Sequence, residues 1–206
     1  MVEDVLRARG IECAGASEDI AAFDPAVARE SVCIDFTTPD AFRANYRAIA
    51  GKFKAAVVGT TGWNDIRDEV CAEFERCGCT LIYASNFSVG VNALFAAVAK
   101  ASSVMAGAGY TPHITEIHHI HKLDAPSGTA KSLGALVSEG LGVEPAIDSI
   151  REGEVPGTHI VEFGSEVDKL TFTHEAFSRK GFAEGAVLAA LMTENLTGTH
   201  EFKDLL

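Results

Sequence analysis

Between Glu116 and Ala130 the chain reads E-I-H-H-I-H-K-L-D-A-P-S-G-T-A. His118, His119 and His121 stand almost side by side, Lys122 follows directly, and His113 lies just upstream. Imidazole titrates near neutral pH, so such residues can give or take a proton. Lys122 lowers the proton affinity of a neighbouring histidine and attracts carboxylates. Ser127-Gly128-Thr129 reads as the opening of a helix. Free backbone N–H groups there, with the Thr129 hydroxyl, seat an anion. Pro126 fixes the entry of the chain and Gly128 lets a ligand approach closely. The combination suits a small dicarboxylate held beside a proton donor.

Two blander readings stand against it. His119 and His121 point to one side of an extended segment and could ligate zinc, but neither an HExxH spacing nor a nearby cysteine supports this. No metal is expected. A polar surface loop would leave Lys122 and the Ser-Gly-Thr helix start without a purpose.

These residues need elements to carry them. Val2–Arg9 reads as a short helix and 11–16 as a short strand. A second strand, 31–36, ends in Thr37-Thr38-Pro39-Asp40, a helix-start signal, and a helix follows over 41–50. Ala55–Val58 is a buried strand running into Gly59-Thr60-Thr61-Gly62. A helix over 64–77 and a strand over 80–84 come next. Strands alternating with helices imply crossover connections and a parallel sheet. Ligands bind at the carboxyl edge of such sheets, which singles out 17–19, 37–40, 59–62 and 85–87.

The second half has a different rhythm. A helix over 91–105 precedes a strand, Thr111–His118, that runs into the histidine loop. A helix over 130–139 follows, then extended segments at 155–163 and 169–176, then an apolar helix over 181–193. This pattern implies a mixed sheet carrying helices. The expected fold class is α/β. A Rossmann-like parallel-sheet domain covers 1–87, with 186–206 returning to it. An α+β substrate and oligomerisation domain with a mixed sheet covers 88–185.

The 206 residues carry 29 acidic and 17 basic side chains, a formal charge of -12. That balance excludes sequence-independent nucleic-acid binding, which needs Lys and Arg for phosphates. A small anion would need a local basic site within an acidic body. The five cysteines are odd in number, and Cys71, Cys77 and Cys79 lack paired zinc spacing, so reduced thiols are expected. No run reaches the length of a membrane span, and 1–11 has no signal-peptide core. A cytoplasmic protein without membrane partners is expected.

The stretch Glu116–Ala130 resembles the signature of the dihydrodipicolinate reductases, E-x-H-H-x-x-K-x-D-A-P-S-G-T-A. Other segments are similar to that family too: Ile34-Asp35-Phe36-Thr37 with Pro39, Val58–Gly62, Ala84–Asn92, and Ser178-Arg179 with Phe182-Ala183 and Gly185–Val187. The resemblance covers almost the whole chain. It implies a nicotinamide-dependent oxidoreductase of lysine and diaminopimelate biosynthesis, a homotetramer acting on a small dicarboxylate. It further implies His118 as proton donor with Lys122 as its catalytic partner. His119, Lys122, Gly128 and Thr129 would hold the substrate carboxylates. Gly59, Thr60 and Thr61 would touch the nicotinamide, and Ala84, Ser85, Asn86 and Phe87 would line the dinucleotide. The chemistry agrees: hydride addition leaves electron density on the ring, which a cationic, proton-bearing site stabilises.

The chain departs from the family in places. No G-x-G-x-x-G precedes Ile11, so a truncated start is the expectation, with a cofactor-deficient, catalytically silent fragment as an alternative and a related amino-acid dehydrogenase as another. Glu18 falls where an acid would bind the adenosine ribose, and Asp19 follows. Two carboxylates would repel a 2′-phosphate, so NADH is favoured over NADPH. The stretch 151–173 resembles a compact branch of the family, which puts the tetramer in question. His159 and His174 read as structural or surface residues.

Overall fold

Four-residue apolar runs build the first sheet. β1 (Val32–Asp35), β2 (Ala55–Val58) and β3 (Thr80–Tyr83) are joined by β8 (Thr199–Glu201) in the order β1-β2-β3-β8, all parallel. Every residue of β2 is buried, as a strand covered on both faces demands. The computed structural model describes all of residues 1–206, in two compact units: Met1–Val89 with Lys180–Leu206, and Gly90–Arg179.

In the first unit, α3 (Pro39–Lys52) and α4 (Arg67–Cys77) cover one face. Phe42, Tyr46, Ile49, Trp63, Val70 and Phe74 pack there with Ala56, Val58 and Leu81. The helix-start signal works as expected, with Thr38 Oγ1 accepting from Ala41 N at 3.3 Å. The other face carries Val57, Ile82, Phe87, Ala186, Ala189 and Phe202. Here α7 (Lys180–Met192) approaches so closely that a Cβ on Gly185 would lie 1.7 Å from the Phe87 carbonyl oxygen. Against α7 sits α1 (Val2–Ala8), through Val5, Ala183 and Val187. α2 (Pro25–Arg29) is capped by Asp24. The return to this unit comes at Lys180 rather than 186, because α7 is one unbroken helix packed on β1 and β2.

One strand expectation fails. Residues 11–16 are irregular and mostly exposed, and the sheet ends at β1. Gly10, at φ +66, turns the chain after α1, and Glu12-Cys13-Ala14-Gly15-Ala16 lacks the apolar alternation that would hold an edge strand on a core. Glu18 therefore sits on an exposed irregular segment, not at a strand end. Asp19 is used locally, accepting from Ala21 N at 2.9 Å.

The second unit contains α5 (Val89–Met105), β4 (Thr111–His118), α6 (Gly128–Leu141), β5 (Ala146–Arg151), β6 (Thr158–Gly164) and β7 (Lys169–Glu175). The order is β5-β4-β6-β7: β4 and β5 are parallel across the α6 crossover, while β6 is antiparallel to β4 and β7. The expected mixed sheet is present. Leu94 and Val98 from α5 and Leu133 and Val137 from α6 cover one face, against Ile114, Val161 and Phe163. No helix is long and apolar enough to cross a membrane.

Candidate active site

Strand register assembles the site. Alternation along β4 places Ile114, Glu116 and His118 on its buried face. Parallel pairing sets His118 opposite Arg151 of β5, and antiparallel pairing sets Glu116 opposite His159 of β6. Ser127, the N-cap of α6, closes the group. Three strands and a helix start thus converge on one buried cluster.

Glu116 is at its centre, with 0% exposure. Its Oε2 is hydrogen-bonded to Nδ1 of His118, itself only 7% exposed. Its Oε1 accepts from Arg151 Nη2 at 2.9 Å and from Ser127 N at 3.3 Å. Arg151 also donates to the carbonyls of Asp124, at 2.6 Å, and Lys122, at 3.3 Å. It therefore ties the lysine-bearing loop to the buried acid. Within that loop Lys122 Nζ lies 2.8 Å from Asp124 Oδ1, and the Ala125–Pro126 peptide is cis. Ser127 Oγ accepts from Ala130 N at 3.2 Å and stands 3.2 Å from His159 Nε2. The His159 ring meets that of His118 edge-on, centroids 5.1 Å apart.

The electrostatics follow from this packing. Burial pushes the Glu116 carboxyl up, but hydrogen bonds from Arg151 and His118 outweigh it and hold the acid below its ordinary range. Burial lowers His118, Glu116 pulls the other way, and Lys122 and Arg151 add to the lowering. The influence of Lys122 on a neighbouring imidazole is the one its position in the sequence implies. Lys122 holds the Asp124 carboxyl below its usual range.

His159 gives a stability prediction. Burial, with help from the nearby His118, takes it from an ordinary 6.5 down to about 4. Between those values the unfolded chain binds more protons than the folded one. Stability from the neutral buried ring is complete above about 6.5 and is lost as pH falls towards about 4, a difference of about 3 kcal/mol. Urea midpoints should fall through this window, and His159→Phe should flatten that part of the slope. A wild-type midpoint constant across it would mean the ring is not held neutral.

The residues named from the sequence separate on the structure. His118, Lys122, Gly128 and Thr129 lie on one continuous strand-loop-helix segment around the cluster. Ser127 Oγ occupies Ala130 N, which leaves the N–H groups of Gly128 and Thr129 at the first turn. A Cβ on Gly128 would meet nothing within 4 Å, so the space over this helix start is open. His119 lies just past the end of β4, its ring 6.0 Å from that of His121. The sequence reading missed Arg151 and gave His159 no place in the site. Glu116, His118 and His159 offer ligand atoms within 4.8 Å of one another. Both Glu116 oxygens there are already hydrogen-bonded, one to Arg151 and the other to His118.

In the first unit the loops 59–62 and 84–87 follow β2 and β3 at the carboxyl edge of the parallel sheet. A Cβ on Gly59 would come 2.1 Å from a ring carbon of Phe36, so glycine lets the half-exposed Phe36 ring lie across the end of β2. Thr60 is spent internally: its hydroxyl donates to Asp35 Oδ1 and accepts from Thr37 N at 2.8 Å. Phe87 is buried, Asn86 Oδ1 accepts from Ser88 N at 2.8 Å, and Thr61 and Ser85 are exposed. This edge offers backbone groups, two exposed hydroxyls and an aromatic face. Those groups fit a neutral nicotinamide ring and its amide.

Fold and cluster together define a two-unit α/β protein with a Rossmann-like parallel-sheet unit and a mixed-sheet unit carrying a His–Glu–Arg centre. Residues 5–87 match the model of the dihydrodipicolinate reductase N-terminus, and residues 90–206 that of its C-terminus. The chain belongs to the dihydrodipicolinate reductase family, a family of NAD(P)H-dependent oxidoreductases. It is 41% identical over 191 residues to the 4-hydroxy-tetrahydrodipicolinate reductase of Christiangramia forsetii, covering 85% of this chain and 79% of that one. To the enzyme of the same name from Methanopyrus kandleri it is 37% identical over 202 residues, covering 88% and 74%. The dipicolinate-bound dihydrodipicolinate reductase of Paenisporosarcina sp. TG-14 shares the fold, with TM-score 0.71, 23% identity and coverage of 85% and 74%.

Proposed function

We propose that this chain reduces 4-hydroxy-tetrahydrodipicolinate with NAD(P)H, with loss of water, in lysine and diaminopimelate biosynthesis. The observation that carries this reading is the buried Glu116–His118 pair beside Lys122 and the open start of α6. Bound nicotinamide supplies the hydride. His118 holds the proton to be given to the ring, and its burial keeps that proton labile near neutral pH. Lys122 and His119, with the N–H groups of Gly128 and Thr129 and the Thr129 hydroxyl, take the two carboxylates. Lys122 exchanges Asp124 for substrate in doing so. Gly59, Thr60 and Thr61 present backbone and the Thr61 hydroxyl to the nicotinamide, and Ala84, Ser85, Asn86 and Phe87 line the dinucleotide.

The unit of Met1–Val89 with Lys180–Leu206 serves as the dinucleotide-binding domain, and Gly90–Arg179 as the substrate and oligomerisation domain. The exposed carboxylates of Glu18 and Asp19 disfavour a 2′-phosphate, so NADH is the better reductant. The protein works in the cytoplasm as a homotetramer. Oxidation of NADH and of NADPH on adding 4-hydroxy-tetrahydrodipicolinate tests the reading, with turnover expected and faster initial rates with NADH. Absence of turnover with either cofactor, in protein that binds both cofactor and dipicolinate, would overturn it. A clear NADPH preference would remove the role given to Glu18.

A further inference from the structure

The proton-donor reading leaves open what aims the imidazole. We infer that Glu116, braced by Arg151, is a positioning residue that turns His118 so that Nε2 is the atom presented to the substrate. The inference rests on the proposed function for the identity of the substrate, but its geometry stands on the cluster itself.

Hydrogen-bond capacity decides the tautomer. An ionised carboxylate only accepts, so the Glu116 Oε2–His118 Nδ1 bond fixes the proton on Nδ1 in the neutral ring. Nε2 is then the atom that gains and loses the second proton. On the Nε2 side stands Gly157, where a Cβ would come within 3.0 Å of Nε2. Glycine keeps that nitrogen uncovered. The carboxylate cannot swing away, because its other oxygen is held by Arg151 Nη2 at 2.9 Å and by Ser127 N at 3.3 Å.

The charges around the imidazole come from each packed element. Glu116 on β4 favours the protonated ring. Lys122 on the loop and Arg151 on β5 oppose it, as does burial. His159 on β6 is neutral in the fold, its neighbour His174 on β7 is likewise lowered by burial, and Ser127 of α6 is uncharged. Glu116 is thus the one group facing the ring that stabilises imidazolium, and Arg151 keeps it ionised while tempering its pull.

Glu116→Gln tests this without changing the size of the side chain. Arg151 and Ser127 both donate to the Oε1 position, so the amide oxygen settles there and the NH2 faces Nδ1 of His118. Nδ1 must then accept, and the neutral ring changes tautomer to Nε2–H. The expected result in 15N histidine spectra is that tautomer change, with the His118 titration midpoint lowered by about one pH unit or more. The falling limb of kcat against pH should move down with it, and kcat near neutrality should drop about tenfold or more. Glu116→Asp restores the charge and should bring the midpoint most of the way back. An unchanged tautomer and midpoint in Glu116→Gln would overturn the inference, as would identical midpoints for the Gln and Asp variants. Should the spectra change as expected while kcat ignores the His118 midpoint, the positioning role stands and the proton-donor reading falls.

Discussion

Replacing His118 with asparagine is expected to lower kcat by about two to four orders of magnitude while KM moves by no more than about threefold. The loss corresponds to about 3–5 kcal/mol of transition-state stabilisation. Asparagine is the informative substitution because its amide nitrogen reaches roughly where Nδ1 lies. It can still donate to Glu116, so the buried carboxylate keeps a partner and the cluster need not rearrange. What disappears is the second nitrogen and its transferable proton. Substrate carboxylates bind through Lys122 and the α6 start, which the change leaves in place, so affinity is spared. Steady-state kinetics beside a urea unfolding curve would separate catalysis from folding. Turnover within about tenfold of wild type would remove His118 as the donor.

That residue is readable from the sequence because its helpers are contiguous: His118, Lys122 and Ser127-Gly128-Thr129 fall within one strand-loop-helix segment. The parallel sheet is equally legible, since a fully buried strand such as Ala55–Val58 must be apolar throughout. Arg151 and His159 are not legible, for a physical reason. They reach His118 through register, across β5 and β6, and nothing local to either position encodes which residue it will face. β5 itself escapes notice because it lies at an edge and alternates only between exposed and half-exposed residues, so Asp148 and Ser149 interrupt any apolar signal. β8, three residues of Thr-His-Glu, is held by its pairing with β3 and has no pattern of its own. The reverse holds at 11–16, where a stretch between turn signals suggests a strand though it carries no apolar face to pack. Glu116 is visible in the motif, but the sequence assigns it no role. A single acid in an alternating strand resembles a solvent-facing one until its face is known.

Arg151→Met should destabilise the fold by about 3–5 kcal/mol near neutral pH, because it leaves Glu116 as a buried charge without its principal partner. The exposures set the scale: Glu116 is at 0% and the Arg151 side chain at 19%, so water cannot replace the guanidinium without opening the sheet edge. The loss should depend on pH in a definite sense. In the wild type, interactions with Arg151 and His118 hold the Glu116 carboxyl low. Their contribution is present above the unfolded carboxylate value of about 4.3 and is lost as pH falls through the lower folded value. In the variant, burial acts unopposed by Arg151 and raises the same carboxyl, which then protonates on mild acidification and escapes the penalty. The gap between the two urea midpoints should therefore narrow from about pH 7 towards about pH 4. Glu116→Gln in the Arg151→Met background should recover much of the stability, since the uncompensated charge goes with it, and a double-mutant cycle measures the coupling. Equal midpoints for wild type and Arg151→Met at neutral pH would show that the carboxylate is neutralised some other way, most directly by a permanently protonated His118.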